Sequence, residues 1–261
     1  MMPFLAIIVF LSVAMSGAWL WQRRSGNAGS VDSVWSFAMG IGGVAAALLP
    51  DPSAATPRQI VVATMVGLWS LRLGLHIAER SGKGPEDARY AALRTEWGPA
   101  FQSRLFWFLQ IQAAAAALLV LSMGLAAHNP DPFPRVVDLI GIALLGVAIA
   151  GEGWSDAWLR RFRLNPAHRG RVCDTGPWAW SRHPNYFFEW LGWLAYPLLA
   201  ISLSGWAWGW LALTGPAFMY WLLVHVSGIP LLERQMLASR GEAYRAYQAR
   251  VSAFFPLPSK R

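Results

Sequence analysis

Two carboxylates and two guanidinium groups share one short stretch of the chain. Glu152 and Asp156 are four residues apart, and Arg160 and Arg163 follow at intervals of four and three. On an α-helix this spacing places the four side chains on roughly one face. Carboxylates near the end of a membrane helix are costly unless they serve a site or meet a partner. The spacing therefore favours either a ligand site or an internal Asp156–Arg160 pair that anchors the helix.

A second polar group begins at Arg182 and His183, directly before Pro184. Proline is common in the first turn of a helix, and a helix start presents free N–H groups that favour phosphate. Together with basic residues before it, this helix start predicts an anion-binding site. Those preceding residues are Arg160, Arg163 and Arg171. Ordinary basic charge on the inner side of a membrane is the alternative explanation for the arginines.

Asn185, Tyr186 and Glu189 lie further along, inside an apolar stretch. The excess of basic residues on the cytoplasmic side of a membrane does not explain these three residues. A buried carboxylate such as Glu189 needs a hydrogen-bonding ligand or an arginine partner. A ribose or a carboxamide would be a suitable ligand. These three residues strengthen the prediction of a binding site.

Two other segments carry aromatic and charged residues. Residues 87–90 include Arg89 and Tyr90, and by themselves they are more typical of an amphipathic surface turn.

The C-terminal tail reads as one helix from about Leu231 to Arg250, with Tyr244 and Tyr247 three residues apart on one face. This helix would either lie on the membrane or cover a nucleotide, and the sequence leaves both alternatives open.

Seven apolar stretches separate these polar segments, and a helix needs about 20 apolar residues to cross a bilayer. They are residues 3–21, 33–50, 59–78, 106–127, 136–158, 185–203 and 206–227. Hydrophobic residues make up 55% of the chain and charged residues only 14%, whereas ordinary domains are roughly a quarter charged. Many of the 16 Trp lie at the ends of apolar stretches, as in an aromatic belt. The sequence therefore predicts an all-α membrane protein with about seven transmembrane helices.

The distribution of basic residues predicts the orientation. The loops after the first, third and fifth stretches, together with the C-terminal tail, hold 19 of the 22 lysines and arginines. Basic loops face the cytoplasm, so we expect the N-terminus outside and the C-terminus in the cytoplasm. Residues 1–261 are then one transmembrane domain whose cofactor face is formed by the cytoplasmic loops 79–104 and 159–184 and the tail 229–261.

Several other classes of site and partner are not expected. A single Cys and scattered His residues give no metal-binding pattern. Neither a Gly-x-Gly-x-x-Gly fingerprint nor a Walker loop is present, and Gly40 and Gly43 inside an apolar stretch predict close helix packing instead. The net charge of +8 is divided among loops and forms no single stripe, so we expect membrane lipids and no nucleic acid as partners.

The order of these motifs resembles the steroid 5α-reductase superfamily, in particular its bacterial membrane branch of largely unassigned function. The resemblance is strongest from about residue 150 to 256, and weaker but collinear from about 30 to 110. The residues that carry it are Glu152, Asp156, Arg160, Arg163, Gly176, Arg182, His183, Pro184, Asn185, Tyr186, Glu189, Tyr244, Tyr247, Phe255 and Pro256. The segment from Arg182 to Tyr186 is the most specific of these motifs.

The resemblance implies an NADPH-dependent reductase that transfers hydride to a C=C bond conjugated with a carbonyl, in a steroid or another lipid. It implies a multi-pass protein of the bacterial inner membrane. By position, the cofactor-binding residues would be Arg89, Glu152, Asp156, Arg160, Arg163, Asn165, Arg171, Arg182, His183, Asn185, Tyr186, Glu189, Tyr244 and Tyr247.

The chain also departs from the family pattern. The vertebrate enzymes have Asn where this chain has Glu152, and they place a Glu and Tyr pair near the substrate carbonyl. Here the corresponding region has Asp32 near a helix start and Trp69 where the tyrosine would fall. Reduction of an enone requires a proton donor at the enolate oxygen, and Asp32 and Tyr90 are the predicted catalytic residues.

Two other functions fit part of the pattern. Isoprenylcysteine or phospholipid methyltransferases of membranes have a similar Arg-His-Pro-x-Tyr segment with a downstream Glu, and they bind S-adenosylmethionine. They usually have fewer helices, and their cofactor lacks phosphates, so it gives no reason for Arg160, Arg163 and Arg171 to converge. A membrane scaffold or transporter is the third possibility, favoured if the carboxylates pair only with their own arginines.

Overall fold

The computed structural model describes residues 2–82 and 88–260, and the regular elements in these ranges are helices without β-strands. The α-helices are α1 (Met2–Ser25), α2 (Val31–Ala47), α3 (Thr56–Gly82), α4 (Ala88–Trp97), α5 (Phe101–Ala127), α6 (Val136–Leu164), α7 (Pro184–Trp193), α8 (Ala195–Ala200), α9 (Thr214–Trp221), α10 (Ile229–Arg240) and α11 (Glu242–Arg250). Short 3-10 helices occupy Gly98–Ala100, Pro166–His168, Gly176–Ala179 and Ala207–Leu213, and a π-helical turn occupies Leu222–Val226. Position 87 of the predicted segment 87–90 lies outside the described residues.

Within the described ranges, five helices are long and apolar enough to cross a membrane. They are Pro3–Ser25, Thr56–Glu79, Arg89–Ala127, Val136–Leu164 and Ala207–Arg240, and α2 is a shorter apolar helix. A helix rises about 1.5 Å per residue, so about 20 residues are needed to span a hydrocarbon core of about 30 Å. The all-helical fold is confirmed, and the long apolar helices support an integral, multi-pass membrane protein.

The predicted stretch 185–203 is not one continuous helix. It forms α7 and α8, which are separated by a turn at Leu194. Pro197 explains the break, because a proline ring clashes with the carbonyl group four residues earlier, here that of Trp193. The tail also differs from the single predicted helix, since Gly241 adopts a positive φ of 52° between α10 and α11. Glycine tolerates this conformation at little cost.

Contacts divide the chain into two compact units. Unit 1 comprises Met1–Asp138 and Tyr196–Gly215, and unit 2 comprises Leu139–Ala195 and Pro216–Arg261. In unit 1, α2 packs against α1, α3 and α5. A Cβ atom added at Gly40 would lie 2.0 Å from Ser70 Oγ, and one at Gly43 would lie 2.4 Å from Met123 Sδ. The predicted close packing at these glycines is confirmed, as expected for small residues between membrane helices.

One end of unit 1 contains a buried network of charges. Arg58 and Asp138 are both fully buried, with 2.9 Å between Arg58 Nη2 and Asp138 Oδ2. Arg135 donates to Asp138 and Asp131, each at 2.8 Å, and to the backbone carbonyl of Leu199 at 2.9 Å. Arg58 and Arg135 are not among the 19 basic residues in the loops and tail predicted to face the cytoplasm. Their guanidinium groups tie the start of α6 to the connections around it.

Candidate functional site

The first part of the candidate site lies within unit 2, between α7 and the part of α6 that follows Asp138. Asn185 Nδ2 donates to Asp156 Oδ1 at 3.2 Å. Glycines bring these helices close together, since a Cβ atom added at Gly151 would lie 2.4 Å from the Phe188 ring and one at Gly192 would lie 3.2 Å from Leu145. The close packing explains how residues 29 positions apart can share a hydrogen bond.

Glu189 is buried in α7, with only 8% of its surface exposed. One of its hydrogen bonds is local: Trp193 Nε1 donates to Glu189 Oε1 at 2.9 Å, one helical turn away. Glu152, on α6, is also buried, at 6% exposure. A carboxylate in such surroundings must be hydrogen-bonded to be stable. The Trp193 indole supplies one of the hydrogen bonds that Glu189 needs.

The loop before α7 is fixed against α6. Trp178 Nε1 donates to the backbone carbonyl of Ser155 at 3.1 Å. Gly176 has a positive φ of 61°, and a Cβ atom there would meet the Trp158 ring at 2.4 Å. Glycine is therefore required at position 176 both by conformation and by space. This contact fixes the loop that leads to the start of α7.

His183 and Tyr186 stack at the start of α7. Their ring centroids are 5.6 Å apart and their planes differ by 14°. His183 is only 4% exposed, and burial lowers the pKa of its imidazole below the ordinary value, with the positive charge of Arg182 acting in the same direction. The imidazole ring is therefore favoured in its neutral form.

Glu233 of α10 connects this loop to the C-terminal segment. Its Oε1 atom accepts from Arg182 Nε at 2.7 Å and lies 3.3 Å from His183 Nε2, while Oε2 accepts from Gln248 Nε2 at 2.7 Å. Arg182 also donates to the backbone carbonyl of Val251. Arg182 and His183, predicted as cofactor ligands, thus contact the tail. Glu233 was not among the predicted site residues, and its only signal in the sequence is an acidic residue within a basic tail.

Tyr244 and Tyr247 pack inward from α11, each at 2% exposure. The Tyr247 hydroxyl donates to the backbone carbonyl of Trp178, and Val172 of the loop packs against the cluster of Tyr244, Tyr247 and Val251. Burial raises the pKa of both phenols far above the ordinary value, so they stay protonated. This face of α11 therefore covers the loop of unit 2.

Three basic residues of the predicted anion site lie at the surface of unit 2, whereas Arg182 and His183 are largely buried. Arg160 and Arg163, near the end of α6, and Arg171 in the following loop are exposed. Cations at a helix C-terminus interact favourably with the helix dipole. Asn165 has a local role, because its side chain accepts from the Ala167 N–H at 3.0 Å and caps a short 3-10 turn.

The predicted catalytic residues form a separate cluster within unit 1. The Tyr90 hydroxyl donates to Asp32 Oδ1 at 3.0 Å, and Arg89 forms an ion pair with Asp32 Oδ2. Tyr90 is 3% exposed, whereas the side chains of Asp32 and Arg89 are about a quarter exposed, at 22% and 27%. Trp69, which the resemblance aligned with a tyrosine, is buried in α3 at 4% exposure. The single O–H of Tyr90 is thus donated to Asp32, and a phenol is one of the groups that can act as a general acid.

Comparisons with known proteins assign a family. Residues 18–251 match the family model described as a protein of unknown function, DUF1295. An uncharacterized protein of Schizosaccharomyces pombe is 28% identical over 77% of this chain, and the match spans 64% of that relative's length. No solved structure matches the chain. Because the family model covers most of the sequence, the chain belongs to the DUF1295 family of proteins of unknown function.

Proposed function

We propose that this protein is a membrane-embedded, NADPH-dependent reductase of a C=C bond conjugated with a carbonyl, in a steroid or another lipid. The resemblance to the steroid 5α-reductase superfamily suggests this activity. The observation that carries the proposal is the Asn185–Asp156 hydrogen bond, because it joins the two halves of the motif within unit 2. Glu189 lies one helical turn along from Asn185, on the same face of α7.

The residues of unit 2 suit a phosphorylated dinucleotide in their chemistry. Guanidinium groups at the end of α6 and in the next loop are suitable donors to phosphates. Carboxylate and amide groups at Asp156, Asn185 and Glu189 are suitable partners for ribose hydroxyls and a carboxamide. When bound, NADPH would supply the hydride that adds to the β-carbon of the alkene. The residues proposed to hold it are Glu152, Asp156, Arg160, Arg163, Arg171, Asn185, Tyr186 and Glu189.

Reduction of an enone also requires a proton donor. We assign the Tyr90 hydroxyl as the proton donor to the enolate oxygen of the substrate. Its single O–H is donated to Asp32 in the structure, so this O–H would turn from Asp32 to the enolate oxygen before transfer. Arg89 forms an ion pair with Asp32 and would hold the carboxylate in place. Arg182, His183, Tyr244 and Tyr247 would act on cofactor binding by fixing the loop and the tail.

The proposal includes the predicted topology. Seven transmembrane segments with the N-terminus outside would place the basic loops in the cytoplasm of a bacterial cell, as one transmembrane domain in its inner membrane. A lipid substrate would enter from the bilayer, and the charged reductant would come from the cytosol. This division of access suits an enzyme that combines an apolar substrate with a polar cofactor.

Titration of the purified, detergent-solubilised protein with NADPH and with S-adenosylmethionine tests the assignment. We expect saturable binding of NADPH and none of S-adenosylmethionine. The reverse result would replace the reductase by a methyltransferase. Binding of neither molecule would leave the protein without the proposed enzymatic function.

A further inference from the structure

Two segments that are distant in sequence form an exposed apolar patch on unit 2. The Leu257 N–H donates to the Trp180 carbonyl at 3.0 Å. The exposed fractions of Trp180, Leu257 and Phe255 are 55%, 55% and 44%. Large apolar side chains grouped at a surface commonly mark an interaction site.

One side of the patch continues into apolar helices. The Phe255 ring lies 6.2 Å from that of Phe187 and 5.8 Å from that of Trp190, both in α7. It also lies 6.3 Å from the ring of Tyr220 in α9, within the membrane-length helix Ala207–Arg240. The patch is therefore continuous with elements expected in the bilayer.

The tail beside the patch carries exposed positive charge. The Lys260 N–H donates to the Arg250 carbonyl at 2.9 Å, which brings these two basic residues together. Both side chains are exposed, and the ion pair of Arg250 with Asp174 is long and exposed, at 3.4 Å. Exposed pairs of this kind are weak and leave arginine available for other anions.

We propose that Trp180, Phe255 and Leu257, together with Arg250 and Lys260, form a surface that binds the anionic lipid headgroup region of the membrane; we call it the tail patch. Indole and other aromatic rings favour the headgroup level, and lysine and arginine beside them attract anionic lipids. The charge and the continuity with α7 and α9 both favour a lipid surface. This inference does not depend on the reductase proposal.

Lipid contact at the tail patch would affect the candidate site. Ser181, adjacent to Trp180, donates its hydroxyl to the Phe254 carbonyl at 2.8 Å, and the Arg182 N–H donates to the Ser252 carbonyl at 2.8 Å. The tail and the loop before α7 therefore form one structure. The lipid contact would hold both of them at the membrane surface.

Spin labels on the full chain in lipid vesicles test the proposal. The chain has one cysteine, Cys173, so Cys173→Ser provides a background for Leu257→Cys. Ala249→Cys is the matched control, because Ala249 is exposed on the side of α11 opposite to the buried tyrosines. Collision with oxygen and with a water-soluble nickel chelate would be measured by electron paramagnetic resonance. The vesicles would be equimolar phosphatidylcholine and phosphatidylglycerol, compared with phosphatidylcholine alone.

We expect the label at 257 to collide mainly with oxygen and the label at 249 mainly with the chelate. Arg250→Gln combined with Lys260→Gln should shift the label at 257 toward the chelate in the anionic vesicles. A label at 257 as accessible to the chelate as that at 249 would overturn the proposal. Protection from both reagents would also overturn it, because that result indicates a protein partner. The ratio of the two collision rates reports how deep the label at 257 lies in the membrane. If this depth is the same in both kinds of vesicle and in the Arg250→Gln, Lys260→Gln variant, anionic lipid is refuted as the ligand.

Discussion

Arg182 Nε donates to Glu233 Oε1 at 2.7 Å, although the two residues are 51 positions apart in the chain. The pair is largely shielded, with side-chain exposures of 10% and 15%. It joins the loop before α7 to the first helix of the tail. The segment of the sequence with the most specific motif is thus held in place by a residue outside that motif.

Loss of this link should release the tail. Glu233→Ala removes the acceptor shared by Arg182, His183 and Gln248, and hydrogen bonds to charged groups contribute about 1.5–3 kcal/mol each. We expect faster trypsin cleavage in α10 and α11, measured on the detergent-solubilised protein. Glu242→Ala is the control, because its bond to Arg245 is exposed and should contribute little. Equal cleavage in the two variants would mean that Glu233 does not hold the tail.

The charge of Glu189 should matter for cofactor binding. Glu189→Gln keeps the shape and an oxygen acceptor for the Trp193 indole, but it removes the negative charge. We expect NADPH binding to weaken by about 1–3 kcal/mol, as for the loss of a charge-assisted hydrogen bond. Isothermal calorimetry on the purified protein would measure the change. Undiminished affinity would remove Glu189 from the proposed site.

Arg171→Ala should likewise weaken NADPH binding by about 1–3 kcal/mol, because a guanidinium partner of a phosphate is lost. Arg240→Ala is the matched control, since Arg240 is exposed at the end of α10 and outside the proposed site. The affinities of both variants for NADPH and NADH would be compared. Equal effects of the two substitutions would mean that general surface charge accounts for binding.

Tyr90→Phe tests the proton donor. The substitution removes the hydroxyl that bonds to Asp32 and keeps the buried ring. General acid catalysis typically contributes about 10²- to 10⁴-fold, so we expect turnover of an enone lipid to fall by at least about 10²-fold with NADPH affinity unchanged. Tyr220→Phe, in the aromatic cluster of unit 2, is the control. Full activity of Tyr90→Phe would exclude this phenol as the donor.

Asp138→Asn should destabilise unit 1 without changing the affinity for NADPH. Arg58 and Asp138 are fully buried, and removing one partner of a buried pair costs about 3–5 kcal/mol because the other charge is left uncompensated. The free energy of unfolding would be measured by titration with a denaturing detergent. The exposed carboxylate Glu96 provides the control variant Glu96→Gln. A similar small effect in both variants would contradict a structural role for the pair.

The sequence predicted local features better than long-range ones. The apolar helices and the close approach at Gly40 and Gly43 follow from composition and residue size, which act locally. The break before Pro197 also has a local cause, but a hydrophobicity pattern does not register it. The pairing of Glu233 with Arg182 depends on tertiary folding, so residue spacing gave no indication of it.

The candidate site shows the same division. Asp156 and Asn185 were both identified from their residue types, and the structure adds the hydrogen bond between them. Asp32, Arg89 and Tyr90 were assigned to different roles, yet they form a single cluster. Tertiary contacts determine which polar groups satisfy each other, and sequence alone does not specify them.

Hydrogen exchange of the intact protein in detergent, with and without saturating NADPH, tests the central claim most directly. If the dinucleotide binds at α6, the following loop and α7, backbone amides within residues 156–189 should exchange more slowly with NADPH, and those around Arg58 should not change. Unchanged exchange across residues 156–189 at saturating NADPH would contradict the proposed cofactor site.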